Sequence, residues 1–197
     1  KISTKINVIK SLLEKINNLI IVGAMANNFL VYKNLKVGKS LVENNTKKII
    51  EKIYKKAKEN NCEIIIPEDC RVGTSFDGEG KIKNFDTIHD NEIILDIGSN
   101  TINKIKEKID QSNTVLWNGP AGYFENRNFS HGTISIAESI SKKTLDGSLI
   151  SVLGGGDTIA AINKSKNKLS FSHLSTAGGA FLEYLEGKDL PGISVLK

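Results

Sequence analysis

The chain has 197 residues, 39% of them hydrophobic and 25% charged, which is typical of a globular protein with one well-formed core. Its formal net charge is +5, but the lysine-rich segment 46–61 alternates charge around an apolar stripe, as a solvated helix face does. Arginine occurs only at Arg71 and Arg127, and no aromatic stacking motif is present, so we expect no nucleic-acid binding. No apolar run reaches the length of a membrane span, so we expect no membrane partner.

The cysteines and histidines do not form a metal site in the sequence. Cys62 and Cys70 lack metal-type spacing, and such sparse cysteine indicates a reducing compartment, so we expect a cytoplasmic protein. His89, His131 and His173 have no zinc-like spacing and are predicted to be structural or surface residues. The first residue is a lysine, and no signal-peptide pattern follows it, so we expect a fragment or a processed chain.

Helical and strand patterns alternate along the whole chain. Apolar residues at helical spacing predict helices in the segments 3–18, 25–35, 46–61, 101–110, 134–143, 158–164 and 178–187. Short apolar runs predict buried strands in the segments 19–23, 62–67, 92–98, 114–117, 148–153 and 169–173. The polar, glycine-bearing stretch 71–90 is predicted to be a surface excursion. The alternation predicts one three-layer, Rossmann-like α/β domain over residues 1–197, with a parallel sheet covered by helices on both faces.

Parallel sheets of this kind bind ligands beyond the carboxyl ends of their strands. Five loops rich in small or polar residues follow predicted strands, and they are expected to share one edge of the molecule. These loops are 23–25, 96–99, 118–125, 154–158 and 175–179.

The stretch LGGGDTIAAI (153–162) places three glycines between a predicted strand and a predicted helix. Glycine allows positive φ and close approach of a ligand to the main chain, and the first turn of a helix attracts anions. Asp157 would repel a bare phosphate, which favours a magnesium ion between the two, since Mg²⁺ prefers carboxylate and phosphate oxygens. The alternative is a tight turn in which Asp157 only caps the helix.

Two further stretches suit a phosphorylated ligand. WNGPAGYFE (117–125) combines an asparagine donor, an aromatic wall and a carboxylate, which suit phosphate, base and ribose hydroxyls respectively. HLSTAGGAF (173–181) repeats the pattern of small residues before a helix and is a second potential anion site. The segment 36–40 (KVGKS) resembles the end of a Walker loop, but the required earlier glycine is absent, so it is interpreted as a loop.

Together these stretches closely resemble the C-terminal, nucleotide-binding half of phosphoglycerate kinases of bacterial type. The matching stretches run from residue 1 to residue 197: KISTKINVIKSLLEK, VGKSLVE, ILDIG, LWNGPAGYFE, FSHGT, LGGGDTIAAI, FSHLSTAGGAFLEYLEGK and LPGISVL. The resemblance implies magnesium-dependent phosphoryl transfer between 1,3-bisphosphoglycerate and ADP, giving 3-phosphoglycerate and ATP. It also implies a monomer, and a phosphoglycerate site in an N-terminal domain that lies before Lys1.

The resemblance implies roles for individual residues. Lys1 matches the lysine that follows the phosphoryl group in flight, and Lys5 matches one that contacts the nucleotide phosphates. Asp157 matches the magnesium ligand, Asn118 is expected to reach the phosphates, and Glu125 the ribose hydroxyls. The positions expected to enclose adenine are Gly23, Ala24, Leu41, Leu95, Pro120 and Tyr123. Those expected to contact the phosphates or the transferred group are Gly155, Gly156, Thr158, Ala177 and Gly178.

Two positions depart from the family pattern, since Ala24 and Ala177 each stand where a glycine is usual. Ala24 adds a methyl group near the base, and Ala177 weakens the assignment of its N–H as a donor to the transferred group. The implied function is the ATP- and ADP-binding half of a glycolytic kinase that binds nucleotide but is nearly inactive alone. The alternative is a stand-alone adenine-nucleotide-binding module without turnover.

Overall fold

The computed structural model describes residues 1–196, which contain helices and strands along their whole length, although four strands follow one another between residues 63 and 97 with no α-helix between them. The helices are α1 (Ile2–Leu13), α2 (Gly23–Tyr32), α3 (Lys47–Glu59), α4 (Ser99–Asp110), α5 (His131–Leu145), α6 (Gly156–Ile162), α7 (Gly179–Leu185) and α8 (Pro191–Ser194). The strands are β1 (Asn18–Ile20), β2 (Glu63–Ile65), β3 (Cys70–Gly73), β4 (Lys81–Lys83), β5 (Ile93–Ile97), β6 (Thr114–Asn118), β7 (Ile150–Gly154) and β8 (His173–Ser175).

The strands form two parallel sheets and one antiparallel sheet. Strands β1 and β2 pair in parallel, and β6, β7 and β8 form a parallel sheet with β7 in the centre. Strand β3 lies between β4 and β5 and is antiparallel to both. Helices flank the parallel sheets, so the predicted α/β class is confirmed, although the strands are divided among three sheets instead of forming one parallel sheet.

The amphipathic pattern of each helix determines which face is buried. In α3 the predicted stripe of Ile50, Ile53 and Ala57 is buried against α1 and α2, while the lysines face outward. A second apolar cluster joins α4, α5 and α6 to strands β6 and β7, with Trp117 and Leu153 at its centre. Apolar burial of this kind contributes roughly 25 cal/mol per Å² and holds the helices against the sheets.

The stretch 71–90 differs from the predicted surface excursion. Its first residues belong to β3, where Cys70 and Val72 are buried, and it continues into β4 and a short 3-10 turn at Phe85–Thr87. Strand β3 is only four residues long and is followed by the polar segment 74–80, so its apolar signal is hidden by its surroundings.

The last strand begins later than the predicted segment 169–173. The backbone N–H groups of Ser170 and Ser172 donate to the hydroxyls of Ser141 and Ser151, at 2.8 and 3.0 Å. Because serine hydroxyls accept these hydrogen bonds instead of backbone carbonyls of β7, the regular ladder starts only at His173.

None of the helices within residues 1–196 combines the length and the apolar character needed to cross a membrane.

Candidate functional site

The parallel register of β6, β7 and β8 brings three loops together at the carboxyl edge of the sheet. Asn118, the last residue of β6, pairs with Gly154, which in turn pairs with Ser175 at the end of β8. The loops that follow these residues therefore begin side by side, because the three strands end at the same level. The predicted shared edge is confirmed for the loops after β6, β7 and β8.

The glycine turn after β7 has a conformation that requires glycine. Gly155 has φ 93° and ψ 132°, and a Cβ added to it would lie 3.0 Å from Nδ2 of Asn118. Gly156 and Asp157 begin α6 and are exposed. The first N–H groups of a helix have no partner within the helix, so this turn presents backbone donors to solvent beside the Asp157 carboxylate.

Thr158 connects this turn to the loop that follows β6. Its side chain is fully buried, and its Oγ1 accepts the backbone N–H of Gly119 at 2.7 Å. Gly119 itself has φ 94°, a left-handed conformation that glycine adopts readily. The hydroxyl of Thr158 therefore joins the glycine turn to the loop after β6.

The start of α2 approaches the same loop. Gly23 has φ 64°, and a Cβ added there would lie 3.1 Å from the carbonyl oxygen of Pro120. Ala24 follows it and is exposed. The Asn27 side chain donates to the carbonyl of Leu41 at 3.0 Å, and the Leu41 side chain is 75% exposed. The structure thus places Gly23 and Ala24 beside Pro120, and ties the exposed Leu41 to the same helix.

The aromatic part of the β6 loop packs on β5 and on the segment after β3. The Tyr123 N–H donates to the carbonyl of Leu95 at 2.6 Å. The Tyr123 ring meets the Phe76 ring edge-on, with centroids 4.9 Å apart, and Phe76 is 48% exposed. Leu95 is buried beside Gly73 and supports this loop from the core side.

A buried carboxylate lies beneath the same loop. Asp96 is 1% exposed; its Oδ2 accepts the N–H of Gly132 at 2.8 Å and its Oδ1 that of Ile97 at 2.9 Å. A Cβ on Gly122 would lie 2.4 Å from Oδ1, so the loop packs directly on the carboxylate. Burial raises the pKa of Asp96 to about 7, although these N–H donors and the charge of Arg71 lower it.

The predicted loop 96–99 does not join the shared edge as a whole. A Cβ on Gly98 would lie 2.2 Å from the carboxyl carbon of Asp69. That carboxylate accepts the N–H groups of Asn100 and Thr101 and so satisfies the start of α4. The end of this segment therefore packs at the start of α4, and within the segment it is Asp96 that contacts the loop after β6.

The two predicted lysines and the glycines after β8 lie on helices that contact each other. Helix α1, which starts after Lys1 and carries Lys5, packs against α7. Gly178 precedes α7 with φ 55°, and Ala177 is exposed. Within residues 1–196 neither lysine ammonium makes a hydrogen bond or ion pair, so both are available to an anion.

No group of three or more histidine, cysteine or acidic residues within residues 1–196 could hold a metal ion. Asp157 offers a single exposed carboxylate beside the glycine turn. A hard divalent ion at this place would therefore take most of its oxygen ligands from a bound anion and from water.

Among the side chains that touch this region, Phe76 and Lys164 were not predicted from the sequence. Phe76 lies in the polar stretch after β3, and Lys164, which follows α6, donates to the carbonyls of Phe124 and Glu125 at 3.3 Å each. The sequence offered one signal for Lys164, its position shortly after a helix. Because the chain contains many lysines, that position did not distinguish Lys164 from the others.

The fold is that of a Rossmann-like α/β domain, and the candidate ligand site lies at the carboxyl ends of its parallel strands. The sequence model of the phosphoglycerate kinase family matches residues 1–188. The chain belongs to the phosphoglycerate kinase family.

Individual relatives match the chain over its whole length. It is 43% identical to a phosphoglycerate kinase of Xanthobacter autotrophicus and 44% identical to one of Brucella melitensis, in each case over 100% of this chain and 50% of the relative. The solved phosphoglycerate kinase of Coxiella burnetii superposes with a TM-score of 0.91 at 42% identity, covering 100% of this chain and 50% of its own. The enzyme of Pyrococcus horikoshii superposes with a TM-score of 0.80 at 28% identity, over 49% of its length. The chain thus spans about half the length of these relatives.

Proposed function

We propose that residues 1–197 are the nucleotide-binding domain of a phosphoglycerate kinase, which transfers a phosphoryl group reversibly between 1,3-bisphosphoglycerate and ADP in glycolysis. The observation that carries this proposal is the alignment of Asn118, Gly154 and Ser175 across β6, β7 and β8. That alignment gathers the family's characteristic loops at one edge of the sheet. A cytoplasmic monomer is part of the same proposal.

The glycine turn after β7 binds the nucleotide phosphates in this proposal. Gly156 and Asp157 are exposed at the start of α6, and their backbone N–H groups can donate to phosphate oxygens, while the buried Thr158 holds the turn against the loop after β6. Gly155 holds the turn in its left-handed conformation, and Asn118 lies beside it with an exposed side-chain amide. These groups are fixed before the ligand arrives, so they stabilise phosphate charge without reorganising.

A magnesium ion fits the donors that the chain offers here. Asp157 places one exposed carboxylate next to the glycine turn, where it can be a metal ligand. Magnesium is commonly held by one or two carboxylates together with substrate phosphates. When bound, magnesium supplies positive charge to the phosphate oxygens. Asp157 would be the residue of this chain that holds the ion beside the glycine turn.

The base and the ribose lie along the start of α2 and the loop after β6. Gly23, Ala24 and Pro120 form one side of the base site, and the exposed Leu41 provides apolar surface near it. The lack of a Cβ at Gly23 leaves α2 close to Pro120. Such a site offers apolar contact and few side-chain donors, so discrimination between adenine and guanine is expected to be limited.

The other side of this nucleotide site comes from the later part of the β6 loop. The Tyr123 ring extends the apolar wall, and Leu95 supports it from beneath. Glu125 ends the loop with an exposed carboxylate, which can accept hydrogen bonds from the ribose hydroxyls.

In this proposal the phosphoryl group is transferred near the N-terminal ends of α1 and α7. Lys1 and Lys5 bring mobile ammonium groups to neutralise charge on the transferring oxygens, and the backbone around Ala177 and Gly178 adds N–H donors. Phosphoryl transfer needs positioning and charge stabilisation more than covalent chemistry, so no nucleophilic side chain is required.

The acceptor substrate is bound elsewhere in this proposal. Arg71 and Arg127 are the arginines of the chain, and the Arg71 guanidinium donates to the Gly80 carbonyl at 3.1 Å beneath the surface. We therefore place 3-phosphoglycerate on a separate domain that corresponds to the other half of the relatives' length. Without it, the chain loses the proximity of the two reactants, which contributes about 7–11 kcal/mol to lowering such barriers.

Two measurements on the 197-residue chain test this proposal. Isothermal titration calorimetry should show binding of magnesium-ADP and magnesium-ATP, and weaker binding of NAD. A coupled assay with 3-phosphoglycerate and ATP should read near background. Tighter binding of NAD than of ADP would contradict the kinase assignment, and turnover equal to that of a two-domain relative would contradict the placement of the acceptor site. Binding without turnover even when the relatives' other half is supplied would favour a stand-alone nucleotide-binding module.

A further inference from the structure

Helix α6 and the residues directly after it hold the loop after β6 at both of its ends. At the start of the loop, Oγ1 of Thr158 accepts the N–H of Gly119 at 2.7 Å. At its far end, Nζ of Lys164 lies 3.3 Å from the carbonyl oxygens of both Phe124 and Glu125. The segment 156–164, which begins at the glycine turn, therefore fixes the positions of both ends of this loop.

The Lys164 ammonium is directed at the loop by three contacts. The ammonium contacts the two carbonyl oxygens and also lies 5.0 Å from the centroid of the Phe124 ring. Phe124 is only 7% exposed. Hydrogen bonds from a charged donor are stronger than those between neutral groups, and a cation over an aromatic face adds to them. The backbone at Phe124 and Glu125 is thus fixed against a buried anchor.

The Glu125 carboxylate itself remains free. Within residues 1–196 it accepts no hydrogen bond and forms no ion pair, because Lys164 binds the backbone carbonyl of Glu125 and not its side chain. A ligand hydroxyl would meet no competing cation at this carboxylate. The position of Glu125 is constrained while its side chain stays available.

We propose that Lys164 is a positioning residue that places the Glu125 carboxylate for the ribose hydroxyls of the bound nucleotide. This inference rests on the proposed nucleotide-binding function. Lys164 does not touch the nucleotide; it acts through the backbone of Phe124 and Glu125. Because Lys164 lies two residues after α6, the helix that begins at the glycine turn, it links the phosphate end of the site to its ribose end.

The test compares ADP with 2′,3′-dideoxy-ADP, which lacks the ribose hydroxyls, by calorimetry in the presence of magnesium. Lys164→Met keeps the aliphatic stem and removes the donors, and should weaken ADP binding about three- to tenfold while changing dideoxy-ADP binding less than about twofold. Lys164→Arg keeps donors and should restore most of the ADP affinity. The matched control is Lys166→Met, an exposed lysine two residues away with no hydrogen bond or ion pair within residues 1–196.

A double-mutant cycle distinguishes positioning from a general structural effect. Glu125→Gln should lower ADP affinity, and adding Lys164→Met to it should cause almost no further loss, because the two act on the same hydroxyl contacts. Additive losses, or an equal loss for both nucleotides in Lys164→Met, would overturn the inference while leaving the proposed function intact. A wild-type chain that binds neither nucleotide would refute the proposed function, and the role of Lys164 with it.

Discussion

The hydrogen bond between Thr158 and Gly119 is the contact on which the arrangement of the candidate site depends most. Thr158→Val replaces the buried hydroxyl by a methyl group of similar size, so packing is kept and the acceptor is lost. The N–H of Gly119 then has no partner, and an unsatisfied buried donor costs about 1–3 kcal/mol. For a chain of this length that loss lowers Tm by about 2–4 °C per kcal/mol.

The assay for this change is urea unfolding followed by circular dichroism, together with calorimetric titration of magnesium-ADP. Thr158→Ser is the matched control, because it keeps the acceptor oxygen and removes only a methyl group, at a cost of about 1 kcal/mol. We expect Thr158→Val to lose more stability than Thr158→Ser and also to bind nucleotide more weakly. If Thr158→Val were as stable as the wild type and bound nucleotide equally well, the proposed coupling of α6 to the β6 loop would be refuted.

Two further predictions concern the packing around this edge. The pKa of Asp96 is raised to about 7 in the folded protein, so the folded protein keeps a proton that the unfolded chain releases above about pH 4. The contribution of Asp96 to the free energy of unfolding therefore falls as pH rises toward 7. Between pH 5 and 7, the free energy of unfolding measured in urea should fall with pH more steeply in the wild type than in Asp96→Asn, by about 1 kcal/mol per pH unit. Parallel pH profiles of the two proteins would contradict this prediction. Gly154→Ala should cost about 1–3 kcal/mol, because its Cβ would lie 2.3 Å from the Phe181 ring. Gly156→Ala, which meets nothing within 4 Å, should be nearly neutral in thermal unfolding, and equal losses would show that Phe181 does not enforce the glycine.

Local sequence patterns predicted much of the fold. The apolar stripe of α3 has a clear helical periodicity, and the run before the glycine turn is short and apolar; both elements are present in the structure. The pattern failed where a strand is short and lies in polar surroundings, as in β3. It also failed before His173, where serine hydroxyls of distant segments replace the ladder hydrogen bonds.

For the candidate site, the sequence indicated that the loops after β6, β7 and β8 meet, but it wrongly included the whole of 96–99 and did not show what holds the loops together. The glycines and Asp157 stand out because their residue types are unusual between a strand and a helix. Thr158 contacts Gly119 across 39 residues, and Lys164 contacts Glu125 across the same separation. Such long-range contacts depend on how strands are arranged, and no local spacing encodes them. Asp96 left a weak signal, as a lone carboxylate within a buried strand.

The central claim is that a metal-bound nucleotide sits at the glycine turn beside Asp157. Calorimetric titration of ADP into the wild type and Asp157→Ala, with and without magnesium, tests it most directly. We expect Asp157→Ala to weaken magnesium-ADP binding by about tenfold or more, and to leave metal-free ADP binding unchanged or slightly tighter because a negative charge near the phosphates is removed. Equal losses with and without magnesium would contradict the account.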